Sequence, residues 1–289
     1  MEKRKMREFN KVDLHLHTTA SDGSDTPSAL LEKAWRAGIS LVAITDHDTV
    51  EGLGRLDGSA DVRVVTGIEF SCHSDIGDFD CHILGYGFDP ENPVILRAIE
   101  HGRQMRRFKL DRRIEYLSSH FGIVLTDGEI AELYGYNSVA KPHIARILMR
   151  RGLAESVGDA IDKYLKGAKF PDDRIDAKEA IDAIRAAGGL SVYAHPLGGE
   201  RERRLTPCEV KERILTLKGL GIDGIEAIYS RYDASDRELL LGISRELSLL
   251  VSAGSDYHGE NKTVRLGELS PDSSLDLLGK ISILERLKL

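Results

Sequence analysis

The sequence has only three cysteines, no long apolar run and no excess of positive charge. The cysteines form no CxxC pair, which argues against a thiolate metal finger and favours reduced thiols. Apolar runs such as LSLLVSAG fall far short of the ~20 residues that a membrane-spanning helix needs. The charged start, MEKRKMREFN, has no apolar signal region. A net charge of −7 argues against coating of nucleic acid, although a local basic patch can still bind phosphate. We therefore expect a cytoplasmic protein with no membrane contact.

The first ninety residues alternate between strand patterns and helix patterns. The segment TPSALLEKAWRAGIS predicts a helix in which Thr26 caps the start, Pro27 occupies the first turn and Gly38 ends the helix. The apolar runs in LVAITDHD, VRVVTGIEF and CHILGYG predict strands. Polar residues of the kinds that bind metals accompany each run, with Glu69 ending the third. Catalytic groups of parallel β/α barrels lie at the carboxyl ends of strands, so this placement indicates a site.

The segment from about residue 95 to 172 has a different pattern, with helices and no convincing strand. Alternation of helix and strand resumes from about residue 176. With 289 residues, 41% of them hydrophobic, the chain is long enough for one large α/β barrel or for a smaller domain with an insertion. We predict a barrel domain formed by residues 1–94 and 173–289, interrupted by an inserted helical domain at 95–172.

The sequence assigns no definite role to two basic segments. A helix at 103–113 carries six basic side chains, which we expect mainly to form a solvated face, since exposure is the usual fate of charged residues. A phosphate-binding wall beside the active site is the alternative. The loop GERERR at 199–204 is either a mobile lid or a surface loop. The six basic residues of the helix are Arg103, Arg106, Arg107, Lys109, Arg112 and Arg113.

Histidine is unusually frequent, with ten residues, and most of them accompany acidic residues. His15 and His17 alternate along a predicted strand, so both point to the same face. His73, His101 and His120 are interpreted as ordinary surface or core residues. The remaining candidates are six imidazoles and three carboxylates at predicted strand ends or in adjoining turns: His15, His17, Asp22, His47, Glu69, His82, His195, Asp256 and His258.

Nine such side chains exceed what one ion can use, because a metal ion usually takes about four to six ligands. Two or three divalent ions are therefore expected, with Glu69 or another carboxylate bridging two of them. Imidazole mixed with carboxylate suits Zn, Mn or Fe better than Ca.

Seven motifs, in the order HLH, SDG, TDHD, GIE, HILGY, AHP and GSDYH, resemble the polymerase and histidinol phosphatase (PHP) domain family. The match extends over nearly the whole chain outside the insertion. It implies an α/β fold, a distorted seven-stranded β/α barrel similar to a TIM barrel, with an inserted helical domain and a site for three divalent ions. It also implies a metal-dependent phosphoesterase, in which a metal-activated hydroxide attacks the phosphate ester.

The resemblance also implies how the ligands are shared among the three ions. Glu69 would bridge two ions, and the catalytic roles would fall to Glu69, Asp256 and His258. From their positions in the sequence, and not from the resemblance, we expect Asp46 and Asp48 to orient the imidazole of His47, and Asp13 to do the same for the pair His15 and His17. The implied groups are His15, His17, Glu69 and Asp256 for the first ion, Glu69, His82 and His195 for the second, and Asp22, His47 and His258 for the third.

The insertion carries the run AKPHIAR, which resembles small bacterial phosphoesterases of this family. By that resemblance Lys141, His143 and Arg146 would hold substrate phosphate, and the substrate would be a small nucleotide such as a nucleoside 3′,5′-bisphosphate. The closest alternative is a 5′-to-3′ exonuclease on short RNA. A histidinol phosphatase, a non-catalytic PHP module and a hydrolase of C–N bonds are less favoured. No obligate protein partner is evident.

Overall fold

The computed structural model describes most of the chain. The charged N-terminal segment MEKRKMREFN lies outside the described residues. So does residue 201, in the loop GERERR at 199–204, which we call the arginine-rich loop. In the described part, no helix is both long and apolar enough to cross a membrane. The described residues are 11–55, 61–168, 170, 174–200, 202–271 and 277–287.

A nearly closed mixed sheet forms the centre of the fold. Seven strands follow one path, in the order β1-β2-β3-β4-β6-β7-β8, and the two-residue strand β5 pairs with β3 beside it. The sheet closes where Leu16 bridges Tyr257 and the amide of Asp256 donates to the carbonyl of His15 over 2.9 Å. The strands are β1 (Val12–Leu16), β2 (Leu41–Ile44), β3 (Arg63–Ser74), β4 (Phe79–Tyr86), β5 (Ile175–Asp176), β6 (Leu190–Tyr193), β7 (Gly224–Tyr229) and β8 (Leu250–Gly254).

Two antiparallel pairings distinguish this sheet from a fully parallel barrel. Strand β4 runs antiparallel to both β3 and β6, while the other pairs along the path are parallel. Because β4 is reversed, a residue near its start faces the same end of the barrel as the carboxyl ends of its neighbours. This places His82 with the other predicted ligands. The expectation that Glu69 ends its strand is wrong, since β3 continues to Ser74 in a hairpin with β4.

Eight α-helices surround or extend the sheet in the described part of the chain. Thr26 accepts a hydrogen bond from the amide of Ala29, Pro27 begins α1, and Gly38 follows the end of that helix with a φ of 69°. These three features confirm the predicted helix signals. The helices are α1 (Pro27–Arg36), α2 (Pro93–Phe121), α3 (Asp127–Tyr134), α4 (Lys141–Arg150), α5 (Val157–Ala160), α6 (Ala177–Ala186), α7 (Pro207–Leu220) and α8 (Ala234–Leu247).

Helix α2 belongs to two hydrophobic cores. Its first turns bury Ile95 and Ile99 against the barrel. Its later turns bury Leu110 and Leu117 in a second core formed with α3, α4 and α5. The predicted domain boundary at residue 95 therefore falls inside a continuous helix, because the helix is long enough to span both cores.

We expected the basic side chains of the helix at 103–113 to face solvent, and this expectation is wrong for most of them. Lys109 and Arg113 are buried, Arg103, Arg106 and Arg112 are half-buried, and Arg107 is exposed. Arg106 binds Asp48 through a 2.5 Å contact between Nε and Oδ2, and its Nη2 donates to Ser71 over 2.7 Å. Most of the charges are at least partly covered because α2 packs against the barrel on its first turns and against α3, α4 and α5 on its later turns.

Candidate metal centre

Five imidazoles surround the carboxylate of Glu69, which is 1% exposed. The contacts divide between its two oxygens. Oε2 lies 3.2 Å from Nε2 of His15, 3.1 Å from Nε2 of His17 and 3.1 Å from Nδ1 of His47. Oε1 lies 2.9 Å from Nδ1 of His82 and 3.2 Å from Nε2 of His195. One carboxylate therefore faces two sets of imidazoles, which is the geometry that a bridging ligand requires.

The nine predicted ligands converge into overlapping groups, each compact enough to hold a cation. Glu69 belongs to two groups, as a bridging ligand would. Two further features were not expected: three histidines, His17, His47 and His82, each lie in two groups, and Glu202 joins His82 and His195. The groups are His15, His17, Glu69 and Asp256; His17, Asp22, His47 and His258; His47, Glu69 and His82; and His82, His195 and Glu202.

Several buried polar atoms at this centre have no hydrogen-bond partner among the described residues. They include Nε2 of His15, both ring nitrogens of His17, and Oε2 of Glu69. Nδ1 of His47 and Oδ1 of Asp22 are also buried without a hydrogen-bond partner among the described residues. Leaving such atoms buried and unbonded is costly, so their concentration at one point favours ligands that the protein side chains do not supply. The donor set, imidazole with carboxylate, fits divalent cations.

Glu226, which the sequence interpretation missed, holds two ligands in place. It is fully buried in β7, where Oε1 lies 2.9 Å from Nδ1 of His15 and Oε2 accepts from the amide of His195 over 2.8 Å. A carboxylate behind an imidazole fixes the ring's tautomer and orientation. The sequence feature that could have identified Glu226 is a charged residue inside the otherwise apolar strand GIEAIY.

Tyr229 and Lys262, also missed, bind the same oxygen of Asp256. The Tyr229 hydroxyl donates to Oδ2 over 2.9 Å, and Nζ of Lys262 donates to it over 2.6 Å. The other oxygen, Oδ1, lies 3.5 Å from Nε2 of both His15 and His17. Asp256 is thereby oriented with one oxygen toward the imidazoles.

Asp46 and Asp13, predicted to orient imidazoles, instead bind backbone and hydroxyl groups. Asp46 accepts from the amide of Thr18 over 2.8 Å and from the hydroxyl of Ser21 over 2.6 Å, which shapes the turn that carries Asp22. Asp13 accepts from the amides of Ser255 and Gly267 over 2.9 and 2.8 Å, and burial raises its pKa to about 6.

Asp48, the third predicted partner, also binds no imidazole through its described contacts. Its carboxylate holds Arg106 and accepts from the amide of Ser71 over 3.0 Å. These aspartates lie near predicted ligands in sequence, but their hydrogen bonds among the described residues go to backbone, hydroxyl and guanidinium groups. Their contacts fix the chain that presents the ligands.

Two of the predicted ligands adopt backbone conformations that residues other than glycine rarely adopt. His195 has a φ of 31° and Asp256 a φ of 60°. Such strain costs on the order of 1–3 kcal/mol per residue and concentrates at functional sites. The hydrogen bond from the amide of His195 to Glu226 helps to hold the first of these conformations.

Burial and neighbouring charges shift the pKa values of the ligands in opposite directions. Burial lowers the pKa of His15, but the carboxylates around it, Glu226 foremost, outweigh burial and raise that pKa well above its usual range. For His195, burial is likewise outweighed, chiefly by Glu69, and the pKa rises to about 9. Burial lowers the pKa of His47 well below its usual value.

Metal binding should consequently release protons and become tighter as pH rises. A ring with a raised pKa is protonated in the metal-free protein and must become neutral to bind a cation. The pH range over which metal affinity should rise runs from about 6.5, the ordinary histidine pKa, to about 9, the pKa of His195. Calorimetric titration of metal-stripped protein with Mn²⁺ at about pH 6 and about pH 9 measures the effect. Equal affinity at both pH values would contradict it.

The insertion meets the centre at the start of α4. His143 is 2% exposed, and its Nδ1 accepts from the amide of Ala140 over 2.9 Å. Its ring lies 3.9 Å from that of Tyr136, and burial lowers its pKa to about 4. The ring is therefore neutral at pH 7. Lys141 begins the same helix, and Arg146 lies within its second turn.

The arginine-rich loop contributes an acidic side chain to the centre. Oε2 of Glu202 lies 3.6 Å from Nδ1 of His195 and accepts from the amide of Gly199 over 2.9 Å. Two arginines of the loop turn away from the centre, Arg203 to Glu209 and Arg204 to Asp236. The described part of the loop therefore presents carboxylate, rather than guanidinium, to the ligands.

Replacing Glu226 with glutamine is expected to lower metal affinity or turnover by ~10–100-fold, as for other outer partners of metal-binding histidines. The amide keeps the shape but removes the charge that fixes His15. Metal content and kcat measured on the purified variant check this. The same change at Glu246, which pairs with Lys211 at the surface, serves as the control. Equal behaviour of the two variants would refute the role of Glu226.

Comparison with known proteins places these observations in a family. The PHP domain profile matches residues 13–175, more than half of the chain. A 5′-3′ exoribonuclease of Haemophilus influenzae is 30% identical, with 94% of this chain and 96% of that protein aligned. A 3′,5′-nucleoside bisphosphate phosphatase of Chromobacterium violaceum is 29% identical, with 86% and 87% aligned.

A solved structure supports the same assignment. A protein of Bifidobacterium adolescentis, described as a metal-dependent phosphoesterase, superposes with a TM-score of 0.78 at 32% identity, covering 94% of this chain and 96% of that one. The similarities confirm the predicted α/β barrel and the predicted class of enzyme, a metal-dependent hydrolase of phosphate esters. The chain belongs to the PHP domain family.

Proposed function

We propose that this phosphoesterase removes a phosphate group from a small nucleotide, such as a nucleoside 3′,5′-bisphosphate, with three divalent ions of Mn, Zn or Fe. The observation that carries the proposal is the position of Glu69, whose two oxygens face two sets of imidazoles within 3.2 Å. Divalent ions bound there would acidify a water to supply the nucleophile and would offset the charge on the phosphoryl oxygens.

We assign the ligands to three positions. The first and third assignments agree with compact groups of the structure, with His17 near both. The second assignment joins His82 and His195 through Oε1 of Glu69, and Glu202 adds a carboxylate beside them. The assigned sets are His15, His17, Glu69 and Asp256; Glu69, His82 and His195; and Asp22, His47 and His258.

The side chains around the centre would keep the reacting groups in one geometry. Glu226 sets the ring of His15, and Tyr229 sets the carboxylate of Asp256. Because these supports are buried, the ligands cannot relax easily when substrate enters. Preorganised charge of this kind stabilises a transition state more than mobile groups in water do.

We assign selection of the substrate to residues 95–172, acting as one helical unit. Lys141 and Arg146 on α4 would bind a phosphate that is not cleaved. His143, predicted as a third contact, would contribute differently, because its buried, neutral ring joins the helix start to the region of Asp22. Contacts remote from the reacting bond help to fix it in a near-attack position.

Changing Lys141 and Arg146 together to alanine should lower kcat/KM for a nucleoside bisphosphate by ~10²-fold or more, if each lost charge-assisted hydrogen bond contributes ~1.5–3 kcal/mol. An aryl phosphate, which has no second phosphate, should lose much less. Parallel kinetics on the two substrates measure the difference. Equal losses would mean that these residues serve the chemistry or the fold.

A 5′-to-3′ exonuclease on short RNA is the second candidate. The similarity to the Haemophilus influenzae exoribonuclease over 94% of this chain favours it. Each phosphate contact adds counterion release, so a nuclease should bind oligonucleotides with an affinity that falls steeply with salt. Binding of a 5′-phosphorylated oligonucleotide at two salt concentrations separates the candidates, since a site for a single nucleotide has few contacts to lose.

A further inference from the structure

A cavity of about 100 Å³ opens at the metal centre. His47, His82, His195 and Asp256 contribute to its wall, so a phosphoryl group bound beside these side chains would lie in this cavity. Among the described residues that line this cavity, Lys262 is the only lysine or arginine. Its side chain is 22% exposed, which leaves part of it facing the opening.

The contacts of Lys262 leave hydrogen-bonding capacity unused. An ammonium group carries three donors. In the described part of the chain, its one hydrogen bond goes to Oδ2 of Asp256, over 2.6 Å. That bond holds the ammonium beside the carboxylate, while Oδ1 of Asp256 faces the imidazoles. The remaining donors lie next to the space that substrate would occupy.

We infer that Lys262 binds a nonbridging oxygen of the phosphoryl group under attack and thereby favours terminal phosphates over internal phosphodiesters. This inference rests on the proposed function. A phosphate monoester carries about −1.5 to −2 charges at pH 7, whereas each phosphodiester of a nucleic acid carries one. A fixed cation therefore stabilises the bound monoester more than the diester. Lys262 would hold the reacting phosphate, and Lys141 on α4 the other phosphate.

The competing interpretation is that Lys262 only positions Asp256. Tyr229 provides the matched control, because its hydroxyl donates to the same Oδ2 over 2.9 Å. Unlike Lys262, Tyr229 is not among the described residues that line the cavity. If support of Asp256 were the whole role, Lys262→Met and Tyr229→Phe would have similar effects.

The test compares Lys262→Met, Lys262→Arg and Tyr229→Phe at saturating Mn²⁺, with bound metal measured for each protein. Binding of inorganic phosphate is measured by calorimetry. The methionine variant should bind phosphate at least ~10-fold more weakly, since a charge-assisted hydrogen bond is lost, whereas the arginine variant should retain most of the affinity. The Tyr229→Phe variant loses a support of Asp256 but no cation, so its turnover should fall while its phosphate affinity stays close to that of the unaltered protein.

Substrate preference gives a second readout. We compare kcat/KM for a nucleoside 3′,5′-bisphosphate with kcat/KM for a dinucleotide diester. The ratio of the first to the second should fall ~10-fold in Lys262→Met. The same ratio should be unchanged in Tyr229→Phe. Unchanged phosphate binding in Lys262→Met, equal losses in both variants, or failure of Lys262→Met to load metal would each overturn the inference. If the unaltered protein binds phosphate through Lys262 yet hydrolyses no phosphate ester, the proposed function fails and the inference about binding stands.

Discussion

Replacing Glu69 with glutamine is expected to reduce turnover by more than the ~10–100-fold typical of an outer partner, because Glu69 is itself the proposed bridging ligand. The five imidazoles around it would lose the charge that faces them, while the similar shape of the amide preserves the packing in the middle of β3. Steady-state kinetics and metal analysis of the purified variant measure the loss, and circular dichroism checks the fold.

The control for this change is Glu179→Gln. Glu179 also pairs with a histidine, His101, over 3.0 Å, but both side chains are well exposed and neither belongs to the candidate metal groups. That variant should behave like the unaltered protein. If Glu69→Gln retained near-native rates at full metal content, the bridging role assigned to Glu69 would be wrong.

Replacing Gly254 with alanine is expected to damage both stability and activity. Gly254 ends β8 where β1 closes the barrel, and an added Cβ would overlap the Cβ of His15 and approach Oε1 of Glu226 to 2.9 Å. Overpacking of this kind typically costs ~1–3 kcal/mol in stability. Displacing His15 by even ~1 Å can cost ~10²-fold in rate. Chemical denaturation and kcat measure the two effects.

Gly242→Ala is the matched control for the barrel closure. Gly242 lies within α8, where an added Cβ meets open space in the described structure. Alanine there should be neutral or should stabilise the helix by up to ~1 kcal/mol. Comparable destabilisation by the two substitutions would show that the close approach of β1 and β8 at Gly254 is not the cause.

The sequence identified the residues that converge around Glu69 better than it identified their surroundings, for a physical reason. A ligand at a strand end appears as a polar residue beside an apolar run, which is a local pattern. The partners of a ligand come from distant strands: Glu226 is 211 residues from His15. Lys262 lies in a loop with no periodic pattern, so only the folded chain shows that it reaches Asp256.

The direction of strand β4 could not be predicted from the local sequence pattern either. The run CHILGY predicts a strand in either direction, and its reversal follows from the hairpin that pairs Cys72 with Cys81. Burial of Lys109 and Arg113 depends similarly on tertiary packing, since the first turns of α2 pack in the barrel core and its later turns pack in the second core. Composition alone favours exposure of such charges.

Titration of metal-stripped protein with Mn²⁺, with bound metal and hydrolysis of a nucleoside 3′,5′-bisphosphate followed together, tests the proposed function most directly. Activity should be absent from the stripped protein, rise as the sites fill, and reach its maximum at three ions per chain. Hydrolysis that is undiminished after the metal is removed, or no phosphate-ester hydrolysis when the sites are full, would contradict the assignment of this centre to phosphoester cleavage.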